Sequence, residues 1–506
     1  MICSESDYRY LYEVELCNCI ELYTKSIIQL NSNTFFYKGM NFQFAIERHL
    51  YFCYINSELL FNTFIASKEN NRNYKAEASN EIDYFFIKAF LKNNVDLFKK
   101  VNCKNETKSK NLKSYISHIY HNFFFNIKLQ LNIIFSRRKQ PSLNNGIILN
   151  IFHPKFYYYL KNVLDVLRNE HKVIITANFS KPNDIDETYW YNTEIHFNKV
   201  KLRNFIKVTT YLETHFFWMI EYVEMMLFTF KKSKPSLLLV VEGNSPFDEL
   251  TNQVGKKISI PVVCFQQGWS PIVHVGFRNF SFFKMFIWGQ EFSKLFRPYN
   301  QTQDFVSVGT HVLNRPITLF KSKPNNIIFF LQAVTKIITQ EIWDSLIDTI
   351  TWTSNKFPQS KIFVREHPSS PLNEFDKEKL NAENIIFKNG NSNPLDQIFE
   401  NVIVSVSIFS STILESVCKS TLPIIFNPLK VATYNPDIVS LNAAIEVNNS
   451  SKLKDIIENV LNKKLCLRKY EDGIENVSKL FFQFCGQEAI LQSKFEIDKI
   501  VHLNQI

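Results

Sequence analysis

Short apolar runs punctuate the chain, each too continuous for a half-exposed sheet and each followed by residues at helical spacing. The first series is GIILNIF (146–152), KVIIT (172–176), SLLLVVE (236–242), PVVCF (261–265), FKMFIWG (283–289) and DFVSVG (304–309). Helical patterns fall between them at 155–170, about 197–232 and 246–257. Strands apolar on both faces and alternating with helices belong to doubly wound parallel sheets, so the pattern predicts an α/β architecture.

A second series, IIFFLQ (327–332), KIFVR (361–365), NIIFK (384–388), VIVSVS (402–407) and LPIIF (422–426), follows a loop that starts GTHVLNRP at 309. Two successive Rossmann-like units joined near 310–325 imply a cleft, and open parallel sheets bind ligands outside the carboxyl ends of their strands. Residues 1–140 show mixed helical spacing instead, and the basic, turn-forming SRRKQPSLNNG (136–146) reads as a boundary. The expected division is a mainly helical N-terminal region (1–140), a first Rossmann-like domain (141–315) and a second one with C-terminal helices (316–506).

At 506 residues the chain exceeds one ordinary core. Its formal charge of +10 favours anionic partners such as nucleotides, acidic glycans or the inner membrane face. No basic tract is interleaved with aromatics, so nucleic acid is not an expected partner. Nine scattered cysteines without a CxxC pair argue for reduced thiols in a cytosolic protein, and against a disulfide frame or zinc knuckle. The start MICSESDYRYLYEVEL has acids where a signal peptide is basic and then apolar. HFFWMIEYVEMMLFTF (215–230) is interrupted by Glu221 and Glu224 and is short for a bilayer span. The expectation is a cytoplasmic protein, with peripheral attachment to the inner membrane face left open.

Three features stand at strand ends of the second unit. REHP (365–368) follows KIFVR, bringing Arg365 and His367 to the strand's exit. VSVSIFSSTILES (404–416) runs from a strand through Ser410, Ser411 and Thr412 into a helix, where hydroxyls cap backbone N–H groups that also favour phosphate. Glu415 lies four residues after Ser411, on the same helical face, where its carboxylate can accept hydrogen bonds from ribose. Gln332 occupies a third strand-end loop. Alone, a Ser-Ser-Thr run is an N-cap and a histidine after a strand is a satisfied loop residue. Together, on one sheet, they point to a nucleotide monophosphate or diphosphate.

In the first unit, Glu242 ends an apolar strand before Gly243, a place for a general base or nucleophile. FQQGWSP supplies Gln266, Gln267, Gly268 for close backbone approach, and Trp269 as a flat surface for a sugar. His274 is a reserve candidate for the base. Asp248 and Glu249 read as first-turn helix acids, and the Asp184–Asp186 pair as a loop with little claim to a metal.

The order FQQGWSP, WGQEF, VGTHVL, REHP, SSTILES resembles bacterial GT-B glycosyltransferases of surface-polysaccharide synthesis. Within that set it looks like the CMP-donor Kdo, sialyl- and polysialyltransferases, and it is similar in the same places to CDP-glycerol and CDP-ribitol phosphotransferases. The resemblance covers about 235–430. It implies an acceptor-binding first domain, a donor-binding second domain, and transfer of an acidic sugar from a CMP-linked donor to a glycan or glycolipid. Arg365, His367, Ser410 and Ser411 would meet the donor phosphate, Glu415 the ribose, and Glu242 the reacting centre. No metal or cofactor is implied beyond the nucleotide-sugar substrate. Two departures stand out: Gln267 replaces a histidine common in relatives, and VEGNS replaces the acidic-acidic-glycine motif of the sialyl and Kdo enzymes. The rival expectations are a polyol-phosphate transferase, a UDP-sugar 2-epimerase-like enzyme, and an inactive GT-B binding protein.

Overall fold

Each apolar run of both series forms a strand. The computed structural model describes residues 5–30, 32, 35–69, 74, 76–91, 145–177, 179–186, 190–192, 211–269, 273–315, 323–332, 334, 338–367, 370–389, 395–408, 410, 412–428 and 437–503. The N-terminal region contributes α1 (Glu5–Leu30), a hairpin of β1 (Phe36–Tyr37) and β2 (Met40–Asn41), α2 (Gln43–Tyr54), α3 (Glu58–Lys68) and α4 (Glu81–Phe90). The boundary expected at 136–146 lies almost wholly outside the described residues.

The first unit runs β3 (Ile147–Ile151), α5 (Pro154–Leu167), β4 (Val173–Ala177), β5 (Trp190–Asn192), α6 (Tyr211–Ser233), β6 (Leu237–Val241), α7 (Pro246–Lys257), β7 (Val262–Phe265), β8 (Lys284–Ile287), α8 (Gln290–Phe296) and β9 (Phe305–Ser307). The second runs β10 (Ile327–Phe330), α9 (Gln340–Lys356), β11 (Ile362–Arg365), α10 (Glu374–Lys379), β12 (Ile385–Lys388), α11 (Leu395–Phe399), β13 (Val404–Ser407), α12 (Thr412–Cys418), β14 (Leu422–Phe426), β15 (Ile445–Val447) and α13 (Ser450–Leu461). The chain closes with α14 (Arg468–Phe481) and α15 (Gln487–Leu503).

Both sheets are parallel throughout, ordered β5-β4-β3-β6-β7-β8-β9 and β12-β11-β10-β13-β14-β15. Every residue of β3, β4, β6, β7 and β14 is buried, as continuous apolar spelling requires of strands covered on both faces. The edge strands β5 and β15 escape the sequence pattern: WYN and IEV are short and carry polar residues, because an edge needs less burial. In each unit the chain starts at a central strand, winds outward one way, then returns to wind the other way. The reversal opens a crevice between β3 and β6 in the first unit and between β10 and β13 in the second, where doubly wound sheets take their ligands.

Two features differ from the expected division. Ile490, Ile497, Ile500 and Val501 of the closing helix α15 join the core of the first sheet, beside Leu160 and Val163 of α5, although residues 487–503 follow the second unit in sequence. The N-terminal helices are also fused to the first unit. Arg48 of α2 meets Glu249 of α7 at 3.0 Å with both side chains fully buried, and Arg278 meets Glu21 of α1 at 2.8 Å. Removing one member of such a buried pair strands the other charge, at a cost of about 3–5 kcal/mol. No described helix is long and apolar enough to cross a membrane.

Candidate functional site

The first unit's wall is built at its two central strand ends. After β3 the chain reads Phe152-His153-Pro154-Lys155; His153 Nδ1 accepts the Lys155 N–H at 3.1 Å, and Pro154 opens α5 without forfeiting a backbone bond. After β6, Glu242 and Gly243 both take left-handed φ, at 74° and 76°. Glu242 N–H donates to Phe265 O at 2.7 Å, so the reversal is anchored to β7. A Cβ on Gly243 would stand 2.8 Å from the buried Cys264 Sγ, which leaves no room for a side chain. The turn lifts the Glu242 carboxylate to Lys155, with Nζ 3.5 Å from Oε2. A Cβ on Gly268 would come 3.7 Å from Glu242 Oε1, so the loop after β7 passes close to the same carboxylate.

Behind this wall Tyr159 of α5 acts as a hub. Its hydroxyl donates to Gln266 O and accepts from Trp288 Nε1 at 3.0 Å, and its own carbonyl meets His311 Nε2. Gln266 is buried; its Oε1 accepts the Trp288 N–H at 3.0 Å and its Nε2 donates to Gly268 O at 3.3 Å. The side chain expected to face an acceptor is thus bound into the wall itself. Trp269 is half-buried and packs edge-on against Phe292 and Phe296 of α8, at 5.5 and 5.4 Å between ring centres. Gln267 and Gly268 stay partly exposed on the loop between them.

The second wall carries Arg365 at the end of β11 and His367 two residues on, both half-buried. Burial lowers the Arg365 pKa, and the Glu415 carboxylate works against that. Burial also lowers the His367 pKa, and the positive charge of Lys155, from the other unit, lowers it further. Burial raises the Tyr159 hydroxyl, to which both Glu415 and Glu242 add. Electrostatic influence therefore crosses between the units, from Lys155 to His367 and from Glu415 to Tyr159. Ser410 Oγ accepts the Thr412 N–H at 3.3 Å at the start of α12, while the Thr412 hydroxyl is buried and makes no hydrogen bond among the described residues. Gln332 lies just beyond β10, partly exposed. Ser411 lies outside the described residues.

Lys155 escaped the sequence reading, although a signal was available: His153-Pro154 after β3 repeats the strand-then-His-Pro spelling of 367–368. Other candidates fall elsewhere. His274 is buried and stacked on Tyr51 of the N-terminal region at 4.3 Å; burial, with the Arg278 and Arg48 charges, pushes its pKa down to about 3, so it is a core histidine and not a cleft base. Asp248 and Glu249 do sit in the first turn of α7, but both are buried, and burial pushes Asp248 up to about 7. Asp184 accepts from Tyr158 and lies 3.7 Å from Lys161. Glu170, His171 and Asp498 cluster as metal ligands do, yet Lys494 Nζ already sits 2.8 Å from Glu170 and 2.6 Å from Asp498, filling the cation's role.

No family model matches this chain, and no curated protein matches it. Solved structures do. A variant of the wall teichoic acid polymerase TagF soaked with CDPG is similar at TM-score 0.51 and 11% identity, over 78% of this chain and 98% of that one. A UDP-GlcNAc 2-epimerase from Neisseria meningitidis bound to UDP-GlcNAc is similar at TM-score 0.46 and 11% identity, over 70% of this chain and 100% of that one. MurG from Acinetobacter baumannii is similar at TM-score 0.44 and 10% identity, over 70% and 99%. The likeness is one of fold: two Rossmann-like units about a cleft, the GT-B arrangement.

Proposed function

We propose that the protein is a GT-B glycosyltransferase that moves an acidic sugar from a CMP-activated donor to a glycan or glycolipid in surface-polysaccharide synthesis. One observation carries the reading. A carboxylate paired with a lysine, Glu242 and Lys155, stands at a strand end of one unit, and the Arg365 guanidinium and His367 imidazole stand at a strand end of the other, where the Lys155 charge is felt. That is the charge distribution a transfer from a phosphate leaving group needs. Arg365 and His367 meet the developing negative charge, Ser410 and Thr412 at the start of α12 bind the same phosphate, and Glu415 takes the ribose hydroxyls. Glu242 deprotonates the acceptor hydroxyl, or attacks directly; the two roles give inverted and retained products respectively. The acceptor enters past Gln267, Gly268 and Trp269. Catalysis in this reading draws on protein charges and no metal, and the enzyme works at the cytoplasmic face of the membrane.

A second reading, transfer of a polyol phosphate from a CDP-linked donor, is supported by the TagF structure soaked with CDPG. Gln267 counts against it, because an amide cannot serve as the base that a histidine provides in relatives. Thermal shift with CMP, UMP, UDP, GDP, a CMP-linked acidic sugar and CDP-glycerol tests both. A response to CMP and the CMP-sugar but not to CDP-glycerol supports the first, a response to CDP-glycerol and not to the CMP-sugar supports the second, and no response to any of them ends both.

A further inference from the structure

We infer that Lys155 is a ligand for the donor phosphate supplied by the first unit, held on Glu242 until a nucleotide binds and then transferred to it. The inference rests on the nucleotide-donor reading above and names a residue that neither the motifs nor the resemblance singled out. Its geometry is that of a loose tether. Lys155 Nζ lies 3.5 Å from Glu242 Oε2, beyond a good charge-assisted hydrogen bond of about 2.7–2.9 Å. The Lys155 side chain is 49% exposed, so little desolvation fixes it in place. Its ammonium sits over the Phe156 ring, 4.8 Å from the ring centre.

From there its charge reaches His367 on the opposing wall. A phosphate offers more charge and more acceptor oxygens than a single carboxylate, and Lys155 is held to Glu242 only at 3.5 Å, so the exchange runs toward phosphate. The neighbouring first-unit lysine, Lys161, is turned to Asp184 at 3.7 Å. The consequence is an order of events. Donor binding draws the lysine off Glu242 and leaves that carboxylate open to the acceptor hydroxyl, so the acceptor is engaged only once a donor is present.

The test is calorimetry with whichever of CMP, CDP, UMP and UDP binds the wild type most tightly. Lys155→Met should weaken binding about tenfold and Lys155→Arg only a few-fold, with Tm unchanged because the side chain is half-exposed. Glu242→Gln frees the lysine and should tighten binding about threefold in the wild type, and leave it unchanged in the Lys155→Met background. Equal affinity of Lys155→Met and wild type overturns the inference while leaving the nucleotide reading intact, provided His367→Ala still loses affinity. Equal tightening by Glu242→Gln in both backgrounds overturns the exchange, since that result is general relief of repulsion. Wild type that binds none of the four overturns the reading and the inference with it.

Discussion

The two walls of the cleft are made in opposite ways. On the first, several polar groups are spent on the wall itself: Tyr159, Gln266, Trp288 and His311 interlock behind Glu242, and the left-handed Glu242-Gly243 turn is pinned to β7. On the second, Gln332, Arg365, His367 and Ser410 stand partly exposed at loop and strand ends. The first wall holds the Glu242 turn rigidly, and in the proposed reading the second presents Arg365, His367 and Ser410 to the donor. Substitutions behind Glu242 should therefore act mainly on folding, and those around His367 mainly on binding.

The largest effect belongs to Gly243→Ala. A methyl there must displace the buried Cys264 side chain while the backbone keeps φ at 76°, so strain and overpacking together should cost about 3–4 kcal/mol in denaturant unfolding. A loss below about 1 kcal/mol would show that the turn is softer than the comparison requires. Tyr159→Phe comes next. It leaves Trp288 Nε1 without its acceptor and Gln266 O without the Tyr159 donor, both in a buried place, and should cost about 2–3 kcal/mol. Far-ultraviolet circular dichroism should be unchanged at low temperature, since the deletion removes one oxygen and no packing.

Burial holds the His311 pKa down to about 4, below its ordinary 6.5, so the unfolded chain binds a proton that the native wall refuses. Stability from this group is fully present above pH 6.5 and is lost as pH falls toward 4, by up to roughly 1.4 kcal/mol per pH unit. The buried acids Glu47 and Asp248, both raised to about 7, act in the opposite sense: their contribution is present at low pH and is lost as pH rises through 7. The measurement is therefore a difference. Unfolding free energy of wild type minus His311→Gln should shrink steadily from pH 6.5 to 4, and a constant difference would mean His311 is accessible to protons in the native wall.

Most of the fold was legible because burial on both faces leaves a continuous apolar run, and eleven such runs became eleven strands. The edge strands β5 and β15 left no such trace, nor did the return of α15 to the first unit, because an amphipathic helix does not name the surface it will cover. The strand-end positions of Glu242, Arg365 and His367 were legible in the same way, because each follows an apolar run. The site was illegible where the same residue type serves packing. Gln266 resembles an open cleft glutamine until the Trp288 N–H is seen to claim it, and His274 resembles a base until Tyr51 is found stacked upon it. Lys155 was hidden by its ordinariness, since nothing in one lysine among many says that a carboxylate 87 residues later will turn back to meet it.

The smallest effect on stability should come from His367→Gln, and it is the sharpest test of the contrast between walls. The imidazole is half-buried, and a glutamine of similar reach preserves a polar group there, so unfolding free energy should move by no more than about 0.5 kcal/mol. Binding is another matter. In the donor reading the imidazole, within the field of Lys155, donates a hydrogen bond to an anionic oxygen, and bound phosphate favours its protonated form despite the local burial. Glutamine donates without ever carrying charge. Nucleotide affinity should fall about tenfold, close to 1.4 kcal/mol, and the loss should diminish as pH rises past the imidazole's bound-state titration, where wild type and variant both offer only a neutral donor. If stability drops by about 2 kcal/mol, the scale of a lost buried hydrogen bond, and affinity holds, the polar groups of the second wall are tied into their own packing just as those of the first are, and the division of labour between the two does not exist.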